Sequence, residues 1–422
     1  MIIMDVQYLL NNLWVIIAAL LVFIMTVSVG FLEVGELGRK FNKSLLKTLI
    51  ISGISLFVMA VIGFNTAFAP TFYGIIGNPF YYNGSLLFDL FSKNPQQLLI
   101  PVWWSMTPQY FGTGLYTSTY FLFETAFASV TLALVGVVVL KRVKLTSFII
   151  FSIVYFIFIW NMPAAWIWNP TGWLYKMGMR DFAGGLVVHG AAGAAGLAIL
   201  VKIHREEKSK GINLPSDKIK INNEWLTMSI LLLLMGWFGF NPGSVLAFNS
   251  EALVVVITTF LAAATAMLSL FGFRYIFSKK YPDILDAVNG TLMGLIIITP
   301  LAGFVSPGSA IILGFIGGPL YIAGERVFSK IKWIDDPVGL LPGHMIGGIF
   351  GVLMIAFFTQ RAFAGASGDQ NLPNGLFFMG GISAVHQLGI ESLGILVVIV
   401  FVFSVSYLCL YLIGKVTNGI TI

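Results

Sequence analysis

The stretch RDFAGGLVVHGAAGAAGLAIL, residues 180–200, decides how this chain folds. After Asp181 it holds no charged residue, and its one ionisable side chain is His189. A helix needs about 20 apolar residues to cross the hydrocarbon core of a bilayer, and small residues let such helices approach each other closely. The stretch therefore predicts a tightly packed membrane helix that carries a histidine inside it.

A second stretch, DDPVGLLPGHMIGGIFGVL at residues 335–353, repeats this pattern. In both stretches an acid precedes the histidine by eight residues, and glycines follow the histidine at four and seven residues. Those offsets keep the glycines on the histidine's own helical face, which can press against another helix. The paired elements are Asp181, His189, Gly193 and Gly196 in the first stretch, and Asp336, His344, Gly348 and Gly351 in the second.

Apolar stretches of membrane-spanning length recur along the whole chain. Of its 422 residues, 58% are hydrophobic and only 10% are charged, against about 25% charged in a typical soluble protein. The stretch 287–324 is long enough for two spans, with a break supplied by Pro300, Gly303, Pro307 and Gly308. The sequence predicts an all-α polytopic membrane protein with eleven spans. They lie at 6–32, about 47–69, 113–140, 145–175, 182–201, 225–250, 252–273, two within 287–324, 337–360 and 392–414.

The basic residues predict the orientation of these spans. If the loops alternate between two faces, 20 of the 24 lysines and arginines fall on one face, and Lys93, Lys176, Arg180 and Arg361 fall on the other. Cytoplasmic loops carry the excess of basic residues, so we expect the N-terminus outside and the C-terminus in the cytoplasm of a multi-pass cell membrane protein. Membrane topology thus explains the net charge of +6, and we expect no nucleic-acid partner. The opening MIIMDVQYLLNN lacks the basic region of a cleaved signal peptide, so the first span is expected to be a helix.

The two histidine stretches are the fifth and tenth spans, which predicts that they run in opposite directions. Such inverted repeats place a substrate site at their interface near the middle of the membrane. We expect one domain over residues 1–422, with repeat halves at about 8–202 and 223–360 and a last helix at about 389–414. An ionisable group in a membrane is costly and usually faces an interior pathway, although a histidine that only packs against a neighbouring helix is the alternative.

The remaining histidines and the single cysteine do not indicate a metal site or an enzyme. His204 lies in the charged segment KIHREEKSKG, which suggests a solvated residue, and His386 in SAVHQLGIES suggests a structural one. The single cysteine, Cys409, excludes a disulfide framework, and two histidines without further ligands make a poor metal site. We expect neither a cofactor nor an enzyme, because no nucleophile–base pair or phosphate loop is present.

Five motifs together resemble the Amt/Rh ammonium transporter family, of the Amt type, from the first span to the last. They are GFLEVGELGRKFN at 30–42, DFAGGLVVHGAAGAAGLAIL at 181–200, GWFGFNPGS at 236–244, NGTLMGLIIITP at 289–300 and DDPVGLLPGH at 335–344. The resemblance implies eleven helices per subunit, a homotrimer in membrane lipid and one pore in each subunit. It also implies that ammonium is recruited at an outer aromatic site and loses its proton, and that ammonia then passes through a hydrophobic pore.

The resemblance also implies roles for individual residues. His189 and His344 match the two pore histidines, hydrogen-bonded to each other, and Phe127 and Phe240 match the stacked rings that close the outer entrance. The external recruitment site and the acid beside it are matched by Trp168, Ser244, Phe123 and Asp181. Trp166 is the alternative to Trp168, because the loop before Asp181 is one residue longer than expected.

Several departures from the family pattern leave a second function open. Gly339 stands where an aspartate is common, Glu124 replaces a frequent glutamine beside the outer entrance, and Leu140 replaces a frequent acid. Glu124 either faces the site and strengthens cation capture or pairs with a neighbouring donor. The chain stops at KVTNGITI, where most relatives begin a tail that helps to receive a PII-type regulator, and some continue into a signalling module such as a histidine kinase. A non-transporting ammonium sensor is therefore the alternative to a transporter.

Overall fold

The computed structural model describes residues 6–38, 40–79, 114–139, 142–211, 221–279, 281–331, 333–334, 336 and 338–422. Within them lie eleven helices long and apolar enough to cross a membrane, as predicted. They are α1 (Val6–Leu37), α2 (Phe41–Phe68), α3 (Thr117–Val139), α4 (Leu145–Ile167), α5 (Gly185–Ser209), α6 (Asn223–Gly243), α7 (Ser250–Phe277), α8 (Ile284–Leu301), α9 (Pro307–Ser329), α10 (Leu341–Phe358) and α11 (Gly381–Val416).

The long apolar stretch after residue 287 divides where the sequence predicted. Helix α8 ends at Leu301 in a turn of 3-10 helix that contains Pro300, and Pro307 begins α9. After α2, strands β1 (Thr71–Phe72) and β2 (Ile76–Gly77) form an antiparallel hairpin at the start of the loop that the sequence predicted there. The rest of that loop lies outside the described residues, as do Leu140 and seven basic residues of the topology argument: Arg39, Lys93, Lys141, Lys218, Lys220, Lys280 and Lys332.

Two helices begin earlier than the charge-free stretches indicated. Helix α2 begins at Phe41 rather than near 47, because Lys47 is buried beside Glu33 of α1 in an ion pair. Helix α11 begins at Gly381 rather than near 389. Its fully buried Glu391 accepts hydrogen bonds from the Arg180 backbone N–H and the Gln387 amide. Both hydrogen bonds are to Oε1 and lower the cost of burying this acid, and sequence alone does not show such partners.

The two histidine helices cross in opposite directions, as the repeat predicted. Going along α5, its glycines meet successively earlier residues of the second stretch: Gly185 faces Gly348, Gly193 faces Met345, and Gly196 faces Leu340. A Cβ atom at Gly193, Gly196 or Gly348 would lie closer to the facing stretch than van der Waals contact allows. The small residues thus bring the two helix axes together, which is the packing role expected of glycine in membrane helices.

Both histidine helices start with a π-helical turn and an acidic cap. The turns are Gly185–Gly190 in α5 and Leu341–Met345 in α10, and each contains the histidine. Asp336 accepts the backbone N–H groups of Leu340 and Leu341, at 3.0 and 2.7 Å. Asp181 plays the same part at α5. The acid eight residues before each histidine therefore fixes the start of the helix that carries it.

Candidate functional site

The two histidines form a buried pair. His189 Nδ1 and His344 Nδ1 are 3.1 Å apart, and the rings are 1% and 8% exposed. One Nδ1 must donate and the other accept, so neutral rings present one protonated and one unprotonated Nε2 away from the pair. His189 Nε2 has no hydrogen-bond partner among the described residues. The pair can therefore both donate to and accept from a small polar molecule.

Aromatic rings stack on His189 of this pair. Trp237 and Phe240 of α6 lie nearly parallel to His189, with interplanar angles of 20° and 18° and centroid distances of 5.9 Å. The Trp237 indole N–H donates to the Thr299 hydroxyl at 3.3 Å, which holds its ring in place. Sequence reasoning missed Trp237, although it lies inside the GWFGFNPGS motif three residues before Phe240. The rings leave an apolar environment around the imidazole.

Phe127 and Phe240 meet on the Trp168 side of the histidine pair. Their ring centroids are 4.3 Å apart, and both side chains are fully buried. Phe123 lies one helical turn from Phe127 in α3, and the centroids of these two rings are 4.7 Å apart. Trp168 packs edge to face on Phe127, with a centroid distance of 5.9 Å. The rings of Trp168, Phe127, Phe240 and His189 thus form a continuous row that leads to His344.

A cavity of about 180 Å³ opens above this row. Four of the predicted site residues besides Phe127 line it: Phe123, Trp168, Asp181 and Ser244. Its other lining residues are Tyr120, Glu124, Ile167, Tyr175, Arg180, Phe182, Leu246, Phe304, Ser367 and Asp369. The cavity combines aromatic faces with oxygen atoms, which suits a small cation that also donates hydrogen bonds.

Of the two candidate tryptophans, Trp168 lines the cavity. Its indole N–H donates to the Asp181 carbonyl oxygen at 2.7 Å. Trp166 instead donates to the Ile75 carbonyl oxygen at 2.8 Å and packs edge to face on Phe401 of α11. The Ser244 hydroxyl donates to the Phe240 carbonyl oxygen at 2.9 Å, and its own oxygen can still accept a hydrogen bond.

The Asp181 carboxylate is occupied by backbone. It accepts N–H groups from Gly184, Gly185, Leu186 and Val187 at 2.6–3.0 Å, two on each oxygen. A carboxylate offers about four acceptor positions, so this one is saturated. The Asp181 carboxylate therefore holds the local backbone and has no acceptor position left for a cation in the cavity.

A metal centre finds no support in the part of the chain that the structure describes. No group of three histidine, cysteine, aspartate or glutamate side chains comes together there in a way that could hold a metal ion. The remaining histidines lie apart from the pair: His204 packs against Trp333, and His386 is exposed on α11. Only the two histidines of the repeat meet each other.

Comparison with known proteins gives a consistent picture over nearly the whole chain. A sequence model described as the Ammonium Transporter Family matches residues 13–422. Ammonium transporter 3 of Dictyostelium discoideum is 28% identical, over 96% of this chain and 89% of that protein. An ammonium transporter of Bacillus subtilis is 29% identical, over 96% of this chain and 92% of that protein.

Solved structures share the fold. One described as a sensor Amt protein superposes with a TM-score of 0.80 and is 27% identical, over 99% of this chain and 96% of that chain. The likeness in fold extends over nearly the full length of both chains.

Proposed function

The chain belongs to the ammonium transporter family, and from that premise we propose that it moves ammonium across the cell membrane through the site built around His189 and His344. The pairing of those two rings is the observation that carries the proposal. It combines a buried hydrogen-bonding pair with an apolar, aromatic approach. Such a route suits a molecule that arrives as a cation and passes as a neutral species.

The first step is recruitment in the outer cavity. Ammonium is a small cation with four N–H donors, and the Trp168 and Phe123 rings offer it π faces while the Ser244 hydroxyl offers an acceptor. Cation–π contact is worth up to about 2 kcal/mol where water is excluded. Asp181 adds negative charge nearby without direct contact. The cavity can therefore hold ammonium before it meets the Phe127–Phe240 stack.

The second step is loss of the proton. Carrying the bare ion through an apolar pore is prohibitive, since the Born cost of an isolated charge reaches tens of kcal/mol. Release of the proton leaves ammonia, which needs only hydrogen-bond partners on the way. The histidine pair supplies both an acceptor and a donor, and imidazole can pass a proton along a separate route.

The same pore should reject potassium. Potassium has no proton to release, so it would have to cross the row of aromatic rings as a charged ion. The histidine pair gives it no ring of anionic or carbonyl oxygens of the kind that replaces a hydration shell in cation channels. Selectivity then follows from the acidity of ammonium and not from its size.

The alternative function raised by the sequence, a non-transporting ammonium sensor, is not favoured. The two curated relatives reported above are ammonium transporters, although one solved structure with the same fold is a sensor Amt protein. A transporter must release its ligand inward, whereas a sensor gains from holding it. Flux therefore separates the two functions.

The test uses purified protein in liposomes, with an imposed ammonium gradient and then a potassium gradient of the same size. We expect ammonium-dependent flux well above that of empty liposomes, and no flux driven by potassium. Tight ammonium binding by the same preparation without any flux would contradict transport and would support the sensor.

A further inference from the structure

Three carboxyl groups line the outer cavity: Glu124, Asp181 and Asp369. Two of them are already committed within the protein. The Asp181 carboxylate accepts four backbone N–H groups. Asp369 Oδ1 lies 2.5 Å from Arg180 Nε, in an ion pair whose side chains are 21% and 13% exposed. The Asp181 carboxylate therefore has no acceptor position left for a cation, and the charge of Asp369 is balanced by Arg180.

Glu124 differs from both. It lies on α3 between Phe123 and Phe127, and the residue is only 5% exposed. Its carboxyl group shares a hydrogen bond with the side chain of Tyr120, one helical turn away. Its Oε2 atom is buried and has no hydrogen-bond partner among the described residues. A buried acceptor without a partner is costly in a native structure, which points to a ligand as the missing partner.

We propose that the Glu124 carboxylate is a direct ligand of ammonium in the outer cavity, where Oε2 accepts one of the ion's N–H groups. The Phe123 and Trp168 faces and the Ser244 oxygen complete the surroundings. This proposal deepens the proposed function and rests on it. It makes Glu124 a specificity-determining residue that the other recruitment residues do not replace, because none of them offers a charged acceptor.

The arrangement also explains why Tyr120 matters. Its side chain shares a hydrogen bond with the Glu124 carboxyl group, one helical turn along α3. The second oxygen remains for the ion. Hydrogen bonds with an ionised partner are about twice as strong as neutral ones, so one such contact can dominate recruitment.

Glu124→Gln tests this, because it keeps the size of the side chain and an acceptor for Tyr120 but removes the charge. In liposomes we expect the half-saturation concentration for ammonium to rise about 10-fold or more, the effect of losing one charge-assisted hydrogen bond. The maximal flux should remain or increase, since a weaker site releases its ion sooner.

Glu251→Gln is the matched control. Glu251 is also a buried acid, 6% exposed, at the outer start of α7, but it accepts a hydrogen bond from Ser367 and does not line the cavity. Because Glu251→Gln keeps the charge-assisted bond of Glu124, its half-saturation concentration should stay within about twofold of the wild type. An unchanged value in a folded Glu124→Gln protein would overturn the proposal.

A second variant covers the case in which Glu124→Gln does not fold. Glu124→Asp retains the charge but draws it back by one methylene, and we expect a half-saturation concentration above that of the wild type. A wild-type value would count against direct contact. If wild-type protein shows no flux, transport itself fails, and calorimetric titration of wild type and Glu124→Gln with ammonium chloride still decides the role of Glu124. Loss of binding in the variant supports it, and equal binding refutes it.

Discussion

The histidine pair is held by its neighbours as much as by its own hydrogen bond. His189 makes near-parallel ring contacts with both Trp237 and Phe240, and His344 lies in the π-helical turn that begins α10. Replacing either imidazole would leave the other ring nitrogen buried without a partner. Because an unsatisfied buried group costs about 1–3 kcal/mol, the two rings depend on each other.

At the recruitment site, Trp168→Leu should weaken ammonium binding by about 10-fold, since cation–π contact in a desolvated site is worth up to about 2 kcal/mol. Ser244→Ala should act more mildly, because a neutral hydrogen bond is worth about 1 kcal/mol net. Calorimetric titration with ammonium chloride measures both.

Trp166→Leu is the control for this experiment. Trp166 is a buried tryptophan of the same segment, but its indole bonds to Ile75 and its ring packs on Phe401, outside the cavity. Folded Trp166→Leu protein should bind as the wild type does. If Trp166→Leu weakens binding and Trp168→Leu does not, the recruitment role has been assigned to the wrong tryptophan.

Individual site residues differ in how well sequence could reveal them. The shared spacing between acid and histidine was enough to predict His189 and His344 as site residues from the sequence alone. The sequence singles out Glu124, but it shows neither the hydrogen bond with Tyr120 nor the unpartnered Oε2. The Arg180–Asp369 pair joins residues 189 positions apart, and periodicity carries no information about such a contact.

At the level of helices, the crossing of α5 and α10 depends on glycine. Gly348 faces the Gly185 carbonyl oxygen, and Gly193 faces the Met345 side chain. The repeat pattern predicted which face of each helix makes this contact, because glycines four and seven residues after the histidine lie on the same side of the helix as the histidine. The π-helical turns were not predicted, since an apolar run with one histidine has the same composition in either helical form.

Gly348→Ala should disrupt this crossing. Its Cβ atom would lie well inside van der Waals distance of backbone in α5, which cannot move aside as a flexible side chain could. Overpacking of this kind costs about 1–3 kcal/mol, and any shift separates the two histidines. We expect a lower melting temperature in detergent and a large loss of ammonium uptake.

Gly272→Ala provides the matched substitution. This glycine lies within α7, and a Cβ atom there would meet nothing within 4 Å. Its melting temperature and uptake should equal those of the wild type or exceed them slightly, because alanine favours helix over glycine. Equal melting temperatures and equal uptake in Gly348→Ala and Gly272→Ala would contradict the role given to the close crossing of α5 and α10.

At the scale of the whole molecule, the eleven membrane-length helices among the described residues would put the two ends of the chain on opposite sides if each crosses once and no further span lies outside those residues. The distribution of basic residues predicts which end faces the cytoplasm, and the side chains of the structure are compatible with either choice. The orientation therefore remains a proposal that rests on the excess of positive charge in cytoplasmic loops.

Single-cysteine labelling checks this orientation, because Cys409 is the one cysteine to remove. In a Cys409→Ser background, Asn371→Cys in the exposed α10–α11 connection should react with a membrane-impermeant maleimide on intact cells. Ser209→Cys, exposed at the end of α5, should react only after the membrane is opened. The reverse pattern would invert the proposed direction of recruitment.

The most direct test of the central claim is ammonium flux through His189→Ala protein in liposomes, beside His386→Ala protein as a control with an exposed histidine. The histidine pair is proposed to let ammonia pass while its proton travels separately. We therefore predict that His189→Ala abolishes ammonium-selective flux, either by stopping transport or by letting potassium through, while His386→Ala transports as the wild type does. Normal ammonium flux without potassium flux in His189→Ala would contradict the account.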